Sequence, residues 1–122
     1  MPKTYTHHRL DIYGHELFVT TTKRGWSNIQ RLFAFHDVDT TAAGQTHSGQ
    51  LQPDDGSPNV NAIAIYINAN HGNEAEHIDT CAHEAAHAAE AILEGTKIPT
   101  GGEPLAYLTG WLTRWLWENT KG

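Results

Sequence analysis

Apolar and polar residues alternate in two N-terminal stretches, Arg9-Leu-Asp-Ile-Tyr13 and Glu16-Leu-Phe-Val-Thr-Thr-Thr22, with Gly14-His15 between them as a turn. Period-two alternation rich in β-branched and aromatic residues predicts a β-hairpin. From Trp26 the period changes. Trp26, Ile29, Leu32 and Phe33 recur at three- and four-residue spacing and predict a short amphipathic helix over about residues 27–35. Residues 36–60 are rich in Asp, Thr, Gly, Ser and Pro. So long an irregular stretch is unusual inside a compact domain, and a weak strand near Gly44 to Leu51 is expected within it. Asp54-Asp-Gly-Ser-Pro58 is a turn signal. Asn61 to Asn68 alternates again, with Ile63, Ile65 and Ile67 on one face and Ala62, Ala64 and Tyr66 on the other, the pattern of a half-buried strand.

The remainder reads as helical. Asn73 can cap a helix with Glu76 three residues on, as in a capping box, and an Ala-rich segment runs to Gly95, a natural stop. After residues 96–102, Pro104 sits in the first turn of a last helix reaching about Glu118. The expected fold class is α+β: one domain over residues 1–122, with a small, mostly antiparallel sheet packed on the Ala-rich helix and a C-terminal helix beside it.

Composition narrows the classes of function. A chain of 122 residues supports one core and not two. The net charge of −6, from eight basic and 14 acidic side chains, argues against nucleic acid as a partner, because phosphate contacts need clustered Lys and Arg. No apolar run approaches the roughly 18 residues of a membrane helix, and the N-terminus lacks the apolar stretch of a signal peptide. The expected compartment is therefore the cytoplasm, with no membrane partner. Cys81 is the single cysteine and has no partner for an internal disulfide. The nine His are the unusual feature. Six of them, His7, His8, His15, His36, His47 and His71, form no ligand spacing and are expected at the surface.

His83-Glu84-Ala85-Ala86-His87 carries the chemistry. Histidines four residues apart on a helix project side by side, so both imidazoles can bind one zinc ion, and the intervening Glu can act as general base on a zinc-activated water. At about 100° per residue, Thr80, His83, His87 and Glu90 share a face that Glu84 borders. Ile78, Ala82, Ala85, Ala89 and Ile92 form a stripe nearly opposite, so the helix is expected to bury that stripe and open its histidines into a cleft. His77 and Cys81 lie off the metal face and are excluded as ligands.

A catalytic zinc usually takes a third protein ligand. Three ligands from one straight helix cannot surround a tetrahedral ion, which sets Glu90 aside. Glu103 is the stronger candidate, 16 residues after His87 (103 − 87) across a Gly-containing loop; the competing reading is an N-terminal carboxylate stabilised by the helix dipole. Glu103, Tyr107, Gly110 and Arg114 share one stripe of the last helix, and Gly110 is expected to let the two helices approach closely. Leu105, Leu108, Leu112, Trp115 and Leu116 form the apolar stripe. Tyr107 is a candidate donor to a developing oxyanion, against a plain packing role. Trp111 and Trp117 point away from the stripe, and exposed there they would suggest a homodimer through the C-terminal Trp cluster.

His83-Glu-Ala-Ala-His87, followed by Gly102-Glu-Pro-Leu-Ala-Tyr-Leu-Thr-Gly-Trp111, resembles the gluzincin branch of the zincin metallopeptidases. It is also similar to the minimal zincin-like proteins commonly encoded by bacteriophages, for which the compartment would be the host cytoplasm. The resemblance covers roughly residues 60–116. It implies His83, His87 and Glu103 as zinc ligands and Glu84 as the base of a peptide-bond hydrolase with peptide or protein substrates. By the same analogy the strand over 61–68 would form the cleft rim and pair with extended substrate. Two alternatives follow from the same residues: a zincin-fold metal-binding or protein-interaction accessory protein that cleaves nothing, and a zinc hydrolase of non-peptide amides or esters.

Overall fold

The computed structural model describes residues 4–32, 42–52, 55–68, 70, 72–98 and 102–121. The elements run β1 (Thr6–Leu10), β2 (His15–Thr20), α1 (Lys23–Gln30), β3 (Gly44–Leu51), β4 (Val60–Ile67), α2 (Glu74–Gly95) and α3 (Glu103–Thr120). The fold is α+β. The four strands form one mixed sheet in the order β1-β2-β4-β3. β1–β2 and β3–β4 are antiparallel, while β2–β4 is parallel, with α1 and β3 intervening in sequence.

Alternation along β2 and β4 divides the interior in two. Leu17 and Val19 join Ile63, Ile65 and Ile67 under α2 and α3. Phe18, Ala62, Ala64 and Tyr66 pack against Trp26 and Ile29 of α1 on the other face. Each fully buried isoleucine stabilises the fold by about 1.5–3 kcal/mol before entropy is counted. β4 is therefore buried on both faces rather than one, because α1 covers the Ala–Tyr side. It is also internal: β3, whose Gly-Gln-Thr-His-Ser-Gly-Gln-Leu sequence is poor in core residues, takes the edge that the analogy gave to residues 61–68.

A hairpin forms, but displaced from the expected bounds: the first strand is Thr6–Leu10, residues 11–14 make the turn, and His15, expected in the turn, opens β2 and pairs with Leu10. α1 begins earlier than its apolar spacing suggests, because the Thr22 side chain caps it by accepting from the Gly25 amide at 3.0 Å. Gly25 fits there only as glycine; a Cβ would collide with the Thr20 hydroxyl and the Thr4 carbonyl. Leu32 lies past the helix and is exposed, and the predicted continuation over 33–35 is outside the described residues.

α2 is capped by Asn73, whose Oδ1 accepts from the Glu76 amide at 2.9 Å. It lies over β3 and β4, and α3 lies beside it over β2. Its buried face is rotated from the expected stripe. Ile78 and Ala82 are exposed, while His77, Cys81 and Ala88 are buried, because the C-terminal end of α3 packs there and Thr120 Oγ1 meets His77 Nε2 at 2.7 Å. Gly110 has open space where a Cβ would be, so it is not the point of close approach between the helices. Among the described residues no helix is long and apolar enough to cross a membrane.

Candidate metal centre

α2 and the edge strand β3 build the site together. Where the helix crosses the start of β3, the strand carries Gly44; a Cβ would lie 2.9 Å from both Glu84 Cγ and Thr80 Cγ2. Glycine therefore allows the motif helix to seat directly on the strand. Two residues on, Thr46 faces the same way and donates its hydroxyl to Glu84 Oε1 at 2.8 Å. The cleft beside this contact is about 390 Å³ and is lined by Gly44, Thr46 and Ser48 from β3 and by His83, Glu84 and His87 from α2.

Within it, the Nε2 atoms of His83 and His87 converge to 3.2 Å, with the rings at 76°. Two nitrogens sharing an ion at about 2.05 Å with a near-tetrahedral angle stand about 3.3 Å apart. The pair thus fits the bite of a zinc ion, and the same separation serves a ring-to-ring hydrogen bond. Glu84 is only 4 % exposed, and its Oε2 lies 4.0 Å from His83 Nε2. A buried carboxylate held by a single hydroxyl donor is costly unless positive charge stands near it. A cation on the imidazole pair would supply that charge.

The remaining residues singled out in the sequence are not gathered here. Glu103 is exposed at the start of α3, the helix over β2, whereas the His pair opens toward β3. Tyr107 is 76 % exposed and lines a different cavity with Trp111 and the β1–β2 turn. Among the described residues, no three His, Cys, Asp or Glu side chains assemble as a ligand set. His77 and Cys81 are turned into the α2–α3 interface, and burial pushes the Cys81 thiol above its ordinary range.

No protein-family model matches this chain, and comparison with curated proteins and with solved structures finds no significant match. Motif and geometry therefore carry the functional reading.

The other histidines divide. His7 and His8 are exposed, the first pairing with Glu16 at 2.6 Å. His47 is half-buried beside Trp26. His36 and His71 lie outside the described residues. His15, expected at the surface, is buried, because the hairpin turn tucks it beneath the end of α2 near Gly95. Sequence reasoning also missed Gly44 and Thr46, which only the pairing of β3 at the sheet edge brings to Glu84. Trp117 packs at the core margin against His77, while Trp111 stays partly exposed and stacks on Trp115.

Proposed function

We propose that this chain is a zinc-dependent peptide hydrolase whose centre is His83, Glu84 and His87 in the α2–β3 cleft. The observation that carries the reading is the 3.2 Å convergence of the two imidazole nitrogens beside a buried Glu84 fixed by Thr46. When bound, zinc would supply Lewis acidity to the scissile carbonyl and acidify a water. Glu84 does the proton work: with Oε1 held by Thr46, Oε2 faces the imidazole pair, where it takes a proton from the attacking water and returns it to the leaving amine. Among the described residues β3 is an edge strand, and its backbone offers groups that an extended peptide can pair with beside that carboxylate. Glu103 remains the sequence's candidate for a third ligand.

The absence, among the described residues, of a third ligand assembled with the pair favours a second reading, a metal-binding protein without turnover. One experiment separates the two. Zinc content and hydrolysis of a mixed peptide library are measured for the wild type, His83→Ala, Glu84→Gln and Glu103→Ala. Zinc kept in Glu84→Gln with hydrolysis lost supports the peptidase; zinc kept with no hydrolysis in any form supports the binder. Loss of zinc in Glu103→Ala assigns the third ligand.

A further inference from the structure

The outer face of α3 carries an aromatic patch with charged residues at both ends. Tyr107, Trp111, Arg114 and Glu118 fall within about 60° of one another around the helix, and all four are exposed. Beside them the β1–β2 hairpin borders a groove of about 450 Å³, lined by His8, Arg9, Asp11 and Ile12 together with Tyr107 and Trp111. Five large hydrophobic side chains are exposed among the described residues, and three of them, Ile12, Tyr107 and Trp111, meet at this groove. Ile12, at the hairpin tip, is 92 % exposed. Apolar side chains scattered over a surface need no explanation, but a contiguous patch with a polar border marks an interaction site. Tyr, Trp and Arg are the types that interface cores favour, and no Lys lines the groove.

The charges around the patch point to its occupant. His8 lies against Trp111 and Trp115, at ring-centroid distances of 5.4 and 6.2 Å, while the hairpin tip shares the groove with Tyr107. β1 therefore runs opposite to α3, and Asp11, in an ion pair with Arg9 at 2.8 Å, sits toward the Tyr107 end. The other end carries Arg114, paired with Glu118 at 3.3 Å. Along the helix axis Tyr107 and Arg114 stand about 5 Å to either side of Trp111. A two-fold axis through Trp111 consequently sets Asp11 of one copy opposite Arg114 of the other, and Arg9 opposite Glu118. The face is thus complementary to itself, as an isologous contact requires. A chain of net charge −6 repels its own copy at a face without such cations.

We infer that the outer face of α3 and the hairpin tip form a self-association surface whose partner is a second copy of this chain, in an antiparallel α3–α3 dimer with Trp111 on its axis. This face shares no residue with the α2–β3 cleft, so its role is independent of peptidase action.

Sedimentation equilibrium of the full chain from about 1 to about 200 μM tests the dimer. The wild type is expected to approach twice the 13.5 kDa of one chain at the upper end and to dissociate on dilution, because a face of this size belongs with the small, transient interfaces. Trp111→Glu, which sets two carboxylates at the axis, should weaken association about tenfold or more. Asp11→Arg and Arg114→Asp should each weaken it, and the double variant, with opposite charges restored across the axis, should recover it. Recovery of that kind cannot come from a folding defect, and circular dichroism checks that each variant is folded. A wild type that stays monomeric throughout overturns the inference and leaves the face to a different chain. A dimer that keeps its affinity in Trp111→Glu, or a charge exchange without recovery, places the contact elsewhere and overturns it as well.

Discussion

The Thr46 hydroxyl donates to Glu84 Oε1 at 2.8 Å and lies 3.3 Å from the backbone oxygen of Glu84, tying the edge strand to the centre of the motif helix. A hydrogen bond to a buried carboxylate contributes about 1.5–3 kcal/mol when its loss leaves that group unsatisfied. Thr46→Val keeps the shape and removes the donor. It is expected to lower stability by about 1–2 kcal/mol and hydrolysis about tenfold, with zinc content unchanged. Urea titration, library hydrolysis and metal analysis of the one variant check all three.

Gly44→Ala places a Cβ 2.9 Å from Glu84 Cγ and 3.0 Å from Glu84 Oε2. Neither the strand nor the helix backbone can yield freely, so overpacking is expected to cost about 1–3 kcal/mol and to displace the carboxylate. The denaturation midpoint should fall, and hydrolysis should fall by more than the remaining folded fraction explains.

Gly110→Ala should do the opposite. The residue sits in the exposed middle of α3 with nothing near the added methyl, so alanine gains helix propensity without a clash. A stabilisation of about 0.5–1 kcal/mol is expected. A destabilisation in thermal unfolding would mean that the helices do approach each other through this position.

Cys81 is buried against Thr120, and desolvation raises its thiol above the ordinary value of 9.0. The native thiol should react slowly with a disulfide reagent near neutral pH and rapidly once urea unfolds the chain. Since folding raises this acid's pKa, its stabilising contribution is complete below the unfolded value and is lost as pH rises through the folded one. Cys81→Ala should accordingly lose less stability than the wild type between about pH 8 and about pH 10.

Local signals in the sequence were enough to place most elements. The Asn73 cap, the Pro104 start and the turn-rich flanks of residues 44–51 are written within a few residues of the structure they specify. The His83–His87 pair was likewise legible, because helical spacing alone sets two side chains next to each other. What stayed hidden depends on which strands become neighbours. The parallel β2–β4 pairing makes β4 internal and β3 the edge, and this brings Gly44 and Thr46, unremarkable in a polar stretch, against Glu84. The packing of α3 over β2 moves Glu103 and Tyr107 away from the pair, although their stripe on the helical wheel suited a ligand and a donor. His15 was hidden for the same reason: its burial comes from Gly95 at the far end of α2.

The central claim is that His83 and His87 hold zinc while Glu84 is left free for proton transfer. Elemental analysis of chelator-free wild type beside His83→Ala and Glu84→Gln tests it most directly. The account predicts one zinc per wild-type chain, none in His83→Ala, and one in Glu84→Gln. Folded wild type that carries no zinc and takes up none when it is added would contradict the account.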